Sequence, residues 1–159
     1  MFCVKFKINL LKKEGMFSKA CEYAIRATIF VASESQKGNK VGIKDIAIKI
    51  NSPEPFTAKI LQKLVKKQII TSFKGVGGGF AVEAHKMSEI KLTHILQAIE
   101  CDDMLKGCVL GLEHCSELHP CPFHHKYKPI KENFIKIIEN TDLNELISGF
   151  QLGTTFLKV

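Results

Sequence analysis

Three stretches follow one another without a break in this chain: Ile69-Ile70-Thr71-Ser72-Phe73, then Lys74-Gly75-Val76-Gly77-Gly78-Gly79, then Phe80-Ala81-Val82. Two short runs rich in β-branched and aromatic residues, separated by a glycine-dense turn, predict a β-hairpin. What precedes the hairpin has a different period. Ile60, Leu61, Leu64 and Val65 mark an amphipathic helix over about 55–67, with Thr57, Lys59, Gln62, Lys63 and Lys66 opposite the apolar stripe. Upstream, Ile43, Ile46, Ala47 and Ile50 mark a short helix, joined to the next by Asn51-Ser52-Pro53-Glu54-Pro55, whose prolines can start but not continue a helix. Two short helices joined by a tight turn outline a helix-turn-helix, and a hairpin directly after it is a wing.

The charge pattern gives this unit a purpose. From Pro55 to Val82 there is no aspartate or glutamate, while Lys59, Lys63, Lys66, Lys67 and Lys74 all fall there. A local stretch of one sign suits phosphate contact better than the whole-chain charge of +7, part of which comes from lysines in the first 15 residues. Thr57, Lys59, Gln62 and Lys63 are the candidates for reading base edges. Lys66, Lys67 and the wing residues Ser72, Lys74, Gly75, Gly77 and Gly78 are placed for the backbone or minor groove. The wing glycines do not form a nucleotide-phosphate loop, because no Gly-Lys-Ser/Thr follows and they do not open a helix after a buried strand.

Around this unit the fold is expected to be mainly α with one small β-hairpin. Ala20, Tyr23, Ala24, Ala27, Phe30 and Val31 give a first helix over about 18–34 with Ser18 as its N-cap, and Lys37-Gly38-Asn39-Lys40 ends it. Ile90, Leu92, Ile95, Leu96 and Ile99 support a helix over about 92–101. Ile130, Phe134, Ile137 and Ile138, after Pro129, support another over 129–140, and a short last helix follows over 143–149. The 129–140 helix is expected to serve dimerisation, since helix-turn-helix proteins usually read two half-sites. No apolar stretch approaches the roughly 20 residues needed to span a bilayer, and no secretory signal is recognisable, so a cytoplasmic protein is expected.

Between Cys101 and His125 the chain places four of its six cysteines and four of its six histidines. Thiolate and imidazole are strong ligands for transition metals and iron–sulfur clusters. A reducing compartment makes metal binding or redox sensing a better reading of clustered cysteines than structural disulfides. Zinc through Cys121 and His124 plus two others ranks below a cluster, because the paired Cys-x-x-Cys of structural zinc sites is absent. A thiol switch needs only two of the cysteines. Cysteine–histidine catalysis is not expected: Cys121 with His124, or Cys115 with His114, lacks an orienting third group and a cleft-forming scaffold. Cys101 is expected to be semi-buried at a helix end and Cys21 to pack on its helix, while Cys3, His85, His94, His114, His119 and His125 carry no functional signal.

Several segments together resemble one family. MFSKACEYAIRATIFVA, PFTAKILQKLVKKQII, SFKGVGGGF, SEIKLTHILQAIE and the loop ending Cys121-Pro122-Phe123-His124 are similar, in order, to the bacterial IscR/NsrR (Rrf-two) winged-helix transcriptional regulators, in their cluster-binding branch. The likeness runs from Met16 to about Gly149, so residues 1–15 are expected to be disordered or a start-site artefact. It implies a winged helix-turn-helix domain over 16–100, a cluster loop over 101–125, a dimerisation helix region over 126–150 and a tail over 151–159. It further implies a homodimeric repressor, not an enzyme, that binds an inverted-repeat operator in double-stranded DNA. Its affinity would be set by an iron–sulfur cluster, [2Fe–2S] or [4Fe–4S], on Cys108, Cys115 and Cys121. The fourth ligand would be His124, or Glu22 lent by the first helix of the other subunit. The interval from Cys108 to Cys115 is one residue longer than in the best-known members, and Lys74 stands where an arginine is usual. A cluster-free winged helix using zinc or thiols, or an adapter that does not bind DNA, are the competing functions.

Overall fold

The computed structural model describes residues 17–100, 105, 107–112 and 115–157. The extension 1–15, with Cys3, and the residues Cys101 and His114 lie outside this range. Helix α1 (Lys19–Gln36) starts at Ser18, whose hydroxyl accepts from the Cys21 amide at 3.3 Å. It is the central strut of the fold. Ala24, Ala27, Val31 and Ala32 are fully buried along it, and small side chains there let α2, α3 and α4 pack close.

Helix α2 (Ile43–Ile50) ends at Asn51, which takes the left-handed conformation at φ 54°, and α3 (Glu54–Lys66) begins with proline in its first turn. Only three residues separate the two helices. Their apolar stripes meet through Ile46, Ile50, Ile60, Leu61 and Leu64, all nearly or fully buried. Gln68, also left-handed at φ 58°, turns the chain out of α3. The expected strand from Ile69 is shorter than its apolar run: Ile69 and Ile70 are buried core residues, and β1 (Thr71–Phe73) begins after them.

Strand β1 pairs antiparallel with β2 (Gly79–Ala81) in the register Thr71↔Ala81, Ser72↔Phe80 and Phe73↔Gly79. A third backbone segment joins them. Val41 forms an isolated antiparallel bridge with Phe80, its amide donating to Phe80 O at 3.0 Å and the Phe80 amide donating back at 2.9 Å. Two glycines permit this arrangement. A Cβ on Gly78 would lie 2.4 Å from Phe73 O, and one on Gly79, at φ +143°, would lie 2.8 Å from Val41 O.

After a single 3-10 turn (Ala84–Lys86), α4 covers Leu92–Ala98, three residues shorter at its C-terminus than the periodicity predicts. Helix α5 (His124–Asn140) instead begins five residues before the expected start, with Pro129 inside it. A proline lacks only its own N–H, so the helix forgoes one bond there, and its first turn is held by Cys121 O and Phe123 O accepting from the amides of His124 and Tyr127. Helix α6 (Leu143–Gln151) is capped by Asp142, whose carboxylate accepts from Glu145 N at 3.0 Å. Ile138, Leu143 and Ile147 close the core that α1 begins. No described helix is long and apolar enough to cross a membrane.

Candidate functional site

Past Glu54 and Pro55, the exposed residues of α3 form one stripe: Lys59, Gln62, Lys63 and Lys66, with Phe56 near the helix start and Lys67 just past its end. Their spacing repeats at the helical period, so they face one direction, opposite Ile60, Leu61 and Leu64. Thr57 does not share this face. It is fully buried and its hydroxyl donates to Pro53 O at 3.1 Å, which removes it from the base-reading candidates. The sequence reading misplaced it because threonine is polar, whereas here it satisfies its hydroxyl against the preceding turn.

The wing presents Ser72, Lys74, Gly75 and Gly77 to solvent, with Val76 fully exposed at the tip and Gly78 half-buried behind it. Lys40 lies over the Phe73 ring, 4.2 Å from its centroid, and adds a cation to the flank of the wing. Nothing local in the sequence marks Lys40, because its position depends on the Val41–Phe80 bridge, which joins residues far apart in the chain. Phe56 was also unmarked. It is 37 % exposed and meets Tyr23 edge-on at 5.7 Å, with Arg26 over the other ring at 5.0 Å.

Around the start of α5 four donor side chains form two pairs. Cys108 Sγ and Cys121 Sγ are 3.8 Å apart, and Cys115 Sγ lies 3.5 Å from His124 Nδ1. His124 and Cys121 are buried, Cys108 and Cys115 half-buried. The first turn of α5 links the pairs, since the His124 amide donates to Cys121 O at 3.0 Å. The Leu110 and Leu112 amides, with the Cys121 thiol and the Lys131 ammonium, hold the Cys108 thiol below its ordinary range, which favours the thiolate that metals bind.

Two lysines of α5 secure the segment around the donors. Lys131 Nζ donates to Gly107 O at 2.9 Å, and Lys128 pairs with Glu117 and, one turn along its own helix, with Glu132. The donor set fits metal in a particular way. Two thiolates on one tetrahedral ion sit roughly 3.8 Å apart, and a thiolate and an imidazole nitrogen roughly 3.5 Å apart, for bonds of about 2.3 and 2.0–2.1 Å. Both pairs have that bite. Among the described residues, however, no group of three or more His, Cys, Asp or Glu side chains closes around a single ion position.

Glu22, the other candidate for a fourth ligand, is engaged within its own helix by Lys19 at 2.6 Å and Arg26 at 3.7 Å. Cys21 beside it is buried. His85, His94, His119 and His125 are exposed.

Comparison with known proteins gives a consistent picture. The family model described as Rrf2, iron-dependent transcriptional regulator, matches residues 17–149. The regulator NsrR of Oceanobacillus iheyensis is 28 % identical over 132 residues, covering 82 % of this chain and 88 % of that protein. Among solved structures, CymR, the global cysteine regulator of B. subtilis, superposes with a TM-score of 0.66 at 19 % identity, over 82 % of this chain and 95 % of CymR. IscR of T. potens does so with a TM-score of 0.64 at 17 % identity, over 87 % and 90 %. At such identities the two structures speak to the fold alone, a winged helix.

Proposed function

Because the chain belongs to the Rrf2 family of transcriptional regulators, we propose that it is a homodimeric repressor whose affinity for an inverted-repeat operator is set by an iron–sulfur cluster. The observation that carries this reading is the pair of bites: Cys108 with Cys121, and Cys115 with His124. A [2Fe–2S] cluster takes two protein ligands on each iron, whereas each iron of a [4Fe–4S] cluster takes one, so the pairing supports the smaller cluster. The engagement of Glu22 by Lys19 and Arg26 supports His124 as the fourth ligand. When bound, such a cluster supplies reversible electron transfer and reactivity toward oxygen or nitric oxide.

The chain's own residues supply the readout. His124 opens α5, so holding it fixes where that helix begins, while Lys131 ties Gly107 to the same helix. Further along α5, Ile130 and Ile137 are 62 % and 53 % exposed and form the proposed dimer contact. A change at the donors therefore acts at the root of the dimer helix and on the spacing of the two α3 helices across half-sites. Lys59, Gln62 and Lys63 read bases, and Lys66, Lys67 and the wing with Lys74 hold the backbone.

Anaerobically purified protein is expected to be coloured, with iron and sulfide in equal amounts, and Cys115→Ala to abolish the colour. Colourless, iron-free anaerobic protein that binds its operator tightly overturns the cluster reading. A thiol switch between Cys108 and Cys121, whose sulfurs are already adjacent and whose thiolate is favoured, then takes its place.

A further inference from the structure

Lys63 stands on the exposed face of α3, and its ammonium lies 3.1 Å from Glu100 Oε2. Among the described residues it is the one cation of that face with an acidic partner. The partner comes from outside the acid-free stretch and from an unusual place. Glu100 follows the end of α4 in a left-handed conformation, φ 58°, held by its amide donating to Gln97 O at 3.2 Å. Ala98 and Ile99, just before it, are anchored in the core at 5 % and 6 % exposure. Residue 101, just after it, begins the cysteine-bearing segment.

The Glu100 side chain thus has a fixed root on its N-terminal side. Its carboxylate is 84 % exposed, so the ion pair adds little to folding stability. The electrostatic consequence lies elsewhere. When α3 approaches a duplex, Lys63 must either leave Glu100 or bring a carboxylate toward the phosphates, and both weaken binding.

Resting on the DNA-binding reading above, we propose that Glu100 determines operator affinity. It occupies Lys63, and so acts as a built-in electrostatic brake on the approach of α3 to a duplex.

The test uses the full chain, prepared anaerobically as isolated and again after chelation. The probe is a fluorescent duplex that the protein itself enriches from a random-sequence pool. Chelated Glu100→Gln is expected to bind roughly three- to tenfold tighter than chelated wild type, with the slope of log affinity against log salt steeper by about 1. Lys63→Gln should flatten the slope by about 1, and the double variant should behave as Lys63→Gln alone. Unchanged affinity in Glu100→Gln, or the same gain in the Lys63→Gln background, overturns the proposal while leaving the DNA-binding reading standing. Wild type without salt-dependent binding overturns both.

Discussion

Individual positions in the wing separate shape from charge. Gly79 sits at φ +143° with Val41 O only 2.8 Å from where its Cβ would be, so Gly79→Ala must strain the backbone or break the bridge. A loss of about 1–3 kcal/mol of stability is expected, read as a lower urea midpoint at unchanged slope. Lys74 is exposed and makes no comparable contact among the described residues. Lys74→Ala is expected to leave the urea midpoint in place and to lower the salt slope of DNA binding by about 1. The same contrast explains what single residues disclosed beforehand. The exposed lysines of α3 were legible because their spacing alone puts them opposite Ile60, Leu61 and Leu64. Thr57 was not, because whether a hydroxyl faces solvent or the preceding carbonyl depends on backbone geometry that composition does not record. Lys40 was invisible for a third reason, a contact made only after distant segments meet.

Among the elements, α1, α2 and α3 follow their apolar periods closely, with Ser18 and the prolines after Asn51 marking starts that the structure keeps. Helix α5 departs most. Pro129 reads as a start signal, yet the helix begins at His124, and that earlier start is what brings the imidazole to Cys115. The two donor pairings could not be read from spacing, since a loop of this length permits many closures. Helix α6 offers a test by pH. Its N-cap carboxylate on Asp142 accepts from Glu145 N and pairs with Lys91 Nζ at 3.3 Å, and these contacts hold its pKa below the ordinary aspartate value. A lowered folded pKa means stabilisation that is complete above the unfolded value and is lost as pH falls through the folded one. The stability difference between wild type and Asp142→Asn is therefore expected at pH 7, shrinking below about pH 4. Thermal midpoints measured across that range check it.

For the molecule as a whole, one core takes in α1 through α4 and the buried residues of α5 and α6, while Ile130 and Ile137 stay outside it. The stripe on α5 thus divides, with Phe134 and Ile138 on the core and Ile130 and Ile137 outward. Ile137→Glu is expected to give a folded monomer by analytical ultracentrifugation, with operator affinity reduced roughly 10²-fold or more because the two half-sites no longer bind together. Retention of the dimer would place the contact elsewhere. The backbone bridge between Val41 and Phe80 has a consequence at this scale too. It fastens the hairpin to the chain just ahead of α2, so the wing and α3 are held like the two jaws of a caliper. A caliper of that kind measures as well as grips. On the proposed reading, inserting one base pair between the stretch assigned to α3 and the stretch assigned to the wing shifts one against the other by about 3.4 Å along the duplex, and the Val41–Phe80 bridge opposes the hairpin movement needed to follow it.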